Sequence, residues 1–195
     1  MFLLGHIGIT VGIVYLLAWL ISTHIIKGKP GTSLLGDIDF RIVIIAAILP
    51  DIIDKIVGLI ILKEEISNGR LFTHSIVIIG IFSICLLVFT KINSGHILKS
   101  LFYISPLYFH LLLDRMWEEP PTLFWPLLGT SFPRLDIEIS DYFNILLSDP
   151  YILVSEVLGI LIILTLLVRY RLFIREQFFN FLKNGKLKGY QSNDL

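Results

Sequence analysis

Asp51 and Asp54 stand three residues apart in this chain, and His110 and Asp114 stand four apart. Residues so spaced share one face of a helix. An imidazole and a carboxylate one turn apart can aim at a single cation. Divalent ions, Zn²⁺ foremost, take this mixture of N and O donors; a structural site closes with about four, and a catalytic one leaves a position to water. An ion held in that way lowers the pKa of water and makes hydrolysis possible at neutral pH. His6 and His74 extend the set of candidate ligands, giving three imidazoles and three carboxylates, enough for one or two ions. Arg70 precedes the same apolar run as His74 and offers a guanidinium fork for a substrate anion.

Each candidate has a plainer reading. Asp51 and Asp54 suit a helix cap with an exposed neighbour, or an Asp54–Lys55 pair. His74 could cap the following helix together with Thr73 and Ser75. His110 and Asp114 could bond to each other, His6 could be interfacial, and Arg70 could snorkel. His24 and His96 read as ordinary interfacial residues. Trp117, Trp125 and Tyr142 read as an aromatic belt. Glu118 and Glu119 read as a solvated face, with a general base as the sharper alternative. Ser75 lies beside His74, but no G-x-S-x-G frame surrounds it, so a serine nucleophile has little support.

The elements that must position these groups are apolar. Of 195 residues 55% are hydrophobic and 16% charged, the net charge is zero, and mean hydropathy is +0.81. These figures exclude disorder, a basic nucleic-acid module and an ordinary cytosolic enzyme. They predict an all-α polytopic membrane protein of about five transmembrane helices, one membrane-embedded domain over residues 1–195. The lone Cys85 permits neither an intrachain disulfide nor a thiolate metal site. No P-loop or dinucleotide fingerprint occurs.

The first apolar run covers about Ile7 to Ile26. No Lys or Arg precedes it and no small-residue cleavage site follows, so it reads as a retained span rather than a signal peptide. The second, about Ile42 to Leu62, is interrupted by Pro50, Asp51, Asp54 and Lys55. Either one helix carries these residues, or a short helix ends near Pro50 and Ile56–Leu62 lies along the interface. Proline disfavours helix at the residue before it, which favours the break. The later runs are Ser75–Thr90, Ile97–Leu113 and Tyr151 to about Val168. The apolar content of Thr122–Gly129 suggests a connector packed on the membrane surface. The end of the chain, 169–195, reads as a basic cytoplasmic tail with an interfacial amphipathic start.

With five alternating spans, eleven Lys and Arg fall on the side of the C-terminus and five on the other. This bias puts the C-terminus in the cytoplasm and the N-terminus outside. His6, Asp51, Asp54, Arg70, His74, His110 and Asp114 then converge on the outer face. Ionisable groups at that depth are costly and are functional candidates by default.

The order His6, LPDIIDK at 49–55, GRLFTHS at 69–75 and HLLLDRMWEEPPTLFWPLLG at 110–129 resembles the predicted membrane-bound metal-dependent hydrolases, especially their archaeal branch. That family is distantly similar to the zinc-dependent phospholipase C and single-strand nuclease superfamily, whose helical scaffold binds zinc through His and Asp and hydrolyses phosphoesters. The resemblance implies His110 and Asp114 as a His-x-x-x-Asp pair, with His6, Asp51 or Asp54, and His74 completing the ligands. It implies metal-dependent hydrolysis, with His74, His110 and Asp114 at the catalytic ion and Arg70 orienting the anion. The expected partner is a lipid or lipid-linked phosphoester, not a nucleic acid. The rival expectations are an intramembrane ion or proton relay, against which the lack of an internal repeat counts, and a non-catalytic protein with a structural metal.

Overall fold

The computed structural model describes residues 3–25, 34–93, 95–134, 144 and 147–187. Among these, every regular element is helical: α1 (Leu3–Leu20), α2 (Leu34–Asp37), α3 (Phe40–Ile56), α4 (Ile76–Asn93), α5 (Ile97–Leu113), α6 (Pro120–Leu123), α7 (Pro150–Arg169) and α8 (Arg175–Asn184). The chain is an all-helical membrane protein. Among the described residues three helices are long and apolar enough to cross a bilayer: Leu3–His24, which includes a π turn after α1, Ile76–Asn93 and Pro150–Arg169. The shorter apolar α5 and the helix α3 pack beside them. On α4 only Ile79 and Ser83 are buried, while Ile81, Phe82, Ile84, Val88, Phe89 and Ile92 are exposed. A helix that is apolar all round and bare on most sides suits lipid, where only internally bonded backbone is tolerated.

Helix starts follow the local sequence. Asp39 caps α3 by accepting from Arg41 N at 3.0 Å, and Asp149 caps α7 by accepting from Tyr151 N at 2.9 Å, with Pro150 in the first position. Ser75, not His74, caps α4: its Oγ accepts from Val77 N at 3.2 Å.

Helix α3 runs straight through Pro50, which corrects the expected break. The proline removes one backbone donor, a cost of about 3 kcal/mol inside a helix. Two features offset it. Pro50 is buried, and its carbonyl accepts from Thr73 Oγ1 at 2.9 Å. One turn on, Asp54 is tied to the segment before α4, which holds the end of α3 in place. The chain leaves helix only after a π turn, Val57–Ile61, so Ile56–Leu62 is no separate interfacial segment. In α5 the equivalent problem at Pro106 is met locally: the Phe102 carbonyl that loses its donor accepts from Ser105 Oγ at 3.3 Å.

Helix α1 packs on α3, α5 and α7. Its contact with α7 is backbone to backbone: a Cβ on Gly8 would collide with the Gly159 carbonyl, and one on Gly159 would collide with the Leu4 carbonyl. Small residues permit this approach between membrane helices. Glu156, a carboxylate inside the apolar α7, accepts from Gly5 N at 3.0 Å and satisfies one of the open donors at the start of α1. Gly159→Leu is therefore expected to separate α7 from α1 and lower the melting temperature of the purified protein, since overpacking costs about 1–3 kcal/mol or more. An unchanged melt would contradict the pairing.

At the far end of the bundle, Arg41 donates to the Leu182 carbonyl at 2.6 Å and the Lys183 carbonyl at 3.0 Å, and Phe40 N donates to the Gly185 carbonyl at 2.7 Å. The same guanidinium, bonded to Asp39, holds that carboxyl below its ordinary range. The start of the tail is thus a helix, α8, fastened to the start of α3, with Phe178, Phe179 and Leu182 exposed along it. Lys188, the last basic residue of the tail, lies outside the described residues, as do Tyr142 and residues 27–33 of the Lys27–Arg41 connector.

Candidate metal centre

Five elements end at one place: the start of α1, the last turns of α3, the turn before α4, the end of α5 and the start of α7. His6, Asp51, Asp54, His74, His110 and Asp114 are all buried there. His24 and His96 are exposed and join nothing in this cluster.

Two imidazoles have their orientation fixed from behind. His74 Nδ1 lies 2.7 Å from Asp54 Oδ2, a carboxylate that can only accept, so Nδ1 carries the proton and donates. His110 Nδ1 lies 2.8 Å from the Ala47 carbonyl, with the same consequence. In the neutral rings both Nε2 atoms are then bare lone pairs, and they face each other at 3.2 Å. Two buried lone pairs at that separation repel unless a proton or a metal cation lies between them. Burial opposes a charge on His74, but the carboxylates of Asp114 and Asp54 outweigh it and raise its pKa above the ordinary imidazole value.

Two carboxylates close the set. His74 Nε2 lies 3.6 Å from Asp114 Oδ2 and 3.7 Å from Asp51 Oδ1, and His110 Nε2 lies 3.9 Å from Asp51 Oδ1. One donor atom from each of Asp51, His74, His110 and Asp114 falls within 4.8 Å of all the others. With ligand bonds of about 2.0–2.2 Å, a tetrahedron has edges of about 3.3–3.6 Å. Donor spacing, donor chemistry and the opposed lone pairs all fit one divalent ion.

Asp54 and His6, expected as ligands, stand behind the cluster. Asp54 accepts from Leu71 N at 2.6 Å, Thr73 N at 3.1 Å and His74 Nδ1, so both its oxygens are engaged away from the ion position. His6 Nε2 lies 2.9 Å from Asp114 Oδ1, and its ring stacks on His110 with centroids 4.1 Å apart. It braces one ligand by a hydrogen bond and another by packing. Partners of this kind set the tautomer and aim of metal ligands.

Asp114 is aimed by the way α5 stops. It follows the last helical residue, and Arg115 adopts the left-handed conformation, φ 55°, that turns the chain away. Arg115 then pairs with Glu118 and stands over the Tyr151 ring at the start of α7. His110 and Asp114 do not bond to each other through their side chains; both face His74 Nε2 instead.

The mouth carries charges that the sequence reading placed otherwise. Lys55 pairs with Asp51, Nζ to Oδ2 at 3.0 Å, rather than with Asp54. Arg70 Nε lies 3.4 Å from Asp114 Oδ2, and its Nη1 bonds to Glu119, so Glu119 is not merely a solvated residue. Asn68 is buried, accepts from Arg70 N at 2.9 Å and donates to the Pro133 carbonyl at 2.8 Å, which fixes the approach of Arg70. Ser75 Oγ donates to the Trp125 carbonyl at 2.6 Å and is used structurally. Trp125 stacks on Phe132 and meets Phe72 edge-on, so it packs over the turn that delivers His74. Lys55 was expected only as a partner of Asp54, and Asn68 and Glu156 were missed; of these two only Glu156, a lone acid in an apolar run, gave a readable signal.

Comparison with known proteins gives one family: the model of the YdjM inner membrane protein family matches residues 1–178. No curated protein and no solved structure matches the chain.

Proposed function

This chain belongs to the YdjM inner membrane protein family, and from that premise we propose that it is a membrane-bound metal-dependent hydrolase acting on a phosphoester of a lipid or lipid-linked substrate. The observation that carries the reading is the meeting of His74 Nε2 and His110 Nε2, 3.2 Å apart, with a donor oxygen from each of Asp51 and Asp114 within 4.8 Å of them. A divalent ion bound there, Zn²⁺ by the N/O donor set, would supply Lewis acidity and an activated water. The chain's own residues do the rest. Asp51, His74, His110 and Asp114 hold the ion. Asp54 and His6 keep the ligands aimed. Arg70, partly exposed at the mouth, binds a non-bridging oxygen of the substrate and orients the ester. The segment after Glu119 exposes Phe124, Leu127 and Leu128, an apolar rim suited to an acyl or prenyl chain.

Elemental analysis of the purified protein tests this first: about one equivalent of zinc or another divalent ion is expected, with hydrolysis of phosphoester lipids that a chelator abolishes. A metal-free, chelator-insensitive protein would favour the ion-relay reading, in which the two Nε2 atoms, 3.2 Å apart, share a proton. Bound metal without hydrolysis of any phosphoester would favour a structural site.

The orientation is part of the proposal. Five spans, with α3 and α5 crossing beside the three longer helices, put the cluster on the outer face by the excess of Lys and Arg on the other side. In a Cys85→Ser background, Thr130→Cys should label with an impermeant thiol reagent from outside, and Tyr190→Cys should not. The reverse pattern would put the site on the cytoplasmic face.

A further inference from the structure

Two cations stand at the open end of the cluster, one on each of its carboxylates. Lys55 Nζ lies 3.0 Å from Asp51 Oδ2, and Arg70 Nε lies 3.4 Å from Asp114 Oδ2. The Asp51 oxygen that Lys55 holds is the one turned from the imidazoles, since Oδ1 faces His74 and His110. The two cationic side chains are 39% and 32% exposed, whereas the carboxylates they touch are 11% and 3% exposed. Their backbones are neighbours as well. The Lys55 stem lies across Gly69, where an added Cβ would sit 3.2 Å from Lys55 Cγ, and Gly69 directly precedes Arg70. The last turn of α3 and the turn before α4 therefore deliver two positive heads to one opening. Of the Lys55–Asp51 pair only the Lys55 head is exposed; an ion held at Asp51 Oδ1 would keep that buried carboxylate compensated when Lys55 turns to a stronger anion.

We propose that Lys55 and Arg70 form a two-pronged anion clamp that makes the substrate a phosphomonoester rather than a phosphodiester; the inference rests on the metal-dependent phosphoester reading above. The reasoning is a count of oxygens and charges. A monoester presents three non-bridging oxygens and two negative charges, a diester two oxygens and one charge. The metal centre and Arg70, once its Nη1 exchanges Glu119 for the substrate, engage two oxygens of either. Only the monoester has a third, and Lys55, a point charge on a flexible stem, is placed to receive it. In the reaction the water oxygen bonds to phosphorus and the P–O bond to the organic group breaks. One water proton ends on the departing oxygen, giving an alcohol and hydrogenphosphate. The exposed Phe124, Leu127 and Leu128 fit an alcohol with a long apolar chain.

The test is calorimetric titration of the zinc-loaded, detergent-purified full chain with inorganic phosphate and, separately, with diethyl phosphate. Wild type is expected to bind phosphate at least about tenfold more tightly, the worth of one charge-assisted bond. Lys55→Gln should keep its zinc and bring the two affinities within about twofold of each other, while Lys55→Arg should retain the preference. Equal affinities in wild type, or an intact preference in Lys55→Gln, would overturn the clamp and leave the metal centre standing. A wild-type protein that takes up no zinc would overturn the reading beneath it, and the clamp with it. Should Lys55→Gln fail to fold, the two-ligand comparison in wild type decides alone.

Discussion

Asp114→Asn is expected to strip the protein of its metal and of phosphoester hydrolysis together, while insertion and folding persist. Asp114 sits at the end of an apolar helix, buried, with one oxygen on His6 and the other toward His74 and Arg70. Asparagine keeps the shape, and its carbonyl can still accept from His6 Nε2. What it removes is the negative charge and one acceptor facing the ion position. Loss of an outer partner of a metal ligand alone weakens binding by about 10–100-fold, so loss of a ligand carboxylate should exceed about 100-fold. Zinc content by mass spectrometry, melting temperature and hydrolysis of a phosphoester lipid, measured on the same preparations, read the three consequences separately. His24→Ala, exposed and away from the cluster, should change none of them. Full metal content in Asp114→Asn would sink the site as drawn.

The residues at this site were legible because their types are expensive in an apolar chain. His6, His74, His110, Asp51, Asp54 and Asp114 each interrupt or flank a hydrophobic run, and alternating spans bring their ends to one face. The roles within the set were not legible. Whether Asp54 binds an ion or braces His74 depends on two backbone donors, Leu71 N and Thr73 N, that come from a turn after the chain has left α3. Arg115, adjacent to Asp114 in sequence, turns away to Glu118; among the described side chains, Arg70, from another element, stands beside Asp114. Spacing rules see partners along one helix and miss those that arrive across the bundle. The Pro50 break failed for a related reason: the local penalty of a proline is readable, but the compensating bond from Thr73 Oγ1 and the burial of the ring are tertiary. The crossing of α1 and α7 rests on Gly8 and Gly159, 151 positions apart; Gly8 opens a G-x-x-x-G with Gly12, but nothing local to either run says which helix it meets.

Asp54→Asn should behave differently from Asp114→Asn, and the difference separates a brace from a ligand. Asp54 is fully buried and accepts three hydrogen bonds: from Leu71 N at 2.6 Å, Thr73 N at 3.1 Å and His74 Nδ1 at 2.7 Å. An asparagine has one accepting oxygen and an NH₂ group that donates. Whichever way the amide is turned, its NH₂ meets at least one of these donors head-on. A buried donor left without an acceptor costs about 1–3 kcal/mol. For a chain of this length each kcal/mol corresponds to about 2–4 °C, so the melting temperature should fall by roughly 2–12 °C. The turn from Leu71 to His74 loosens, His74 loses the bond that fixes its tautomer, and zinc affinity should drop by about 10–100-fold. All four donors of the cluster remain, however, so saturating zinc should restore both metal content and hydrolysis. Titration of the purified variant with zinc, followed by melting temperature and turnover, reads this directly. If Asp54→Asn stays empty at zinc concentrations that fill wild type a thousandfold over, Asp54 is a ligand and the cluster has a fifth donor. If neither its melting temperature nor its zinc affinity moves, the hydrogen bonds from the Leu71–His74 turn do not position the centre.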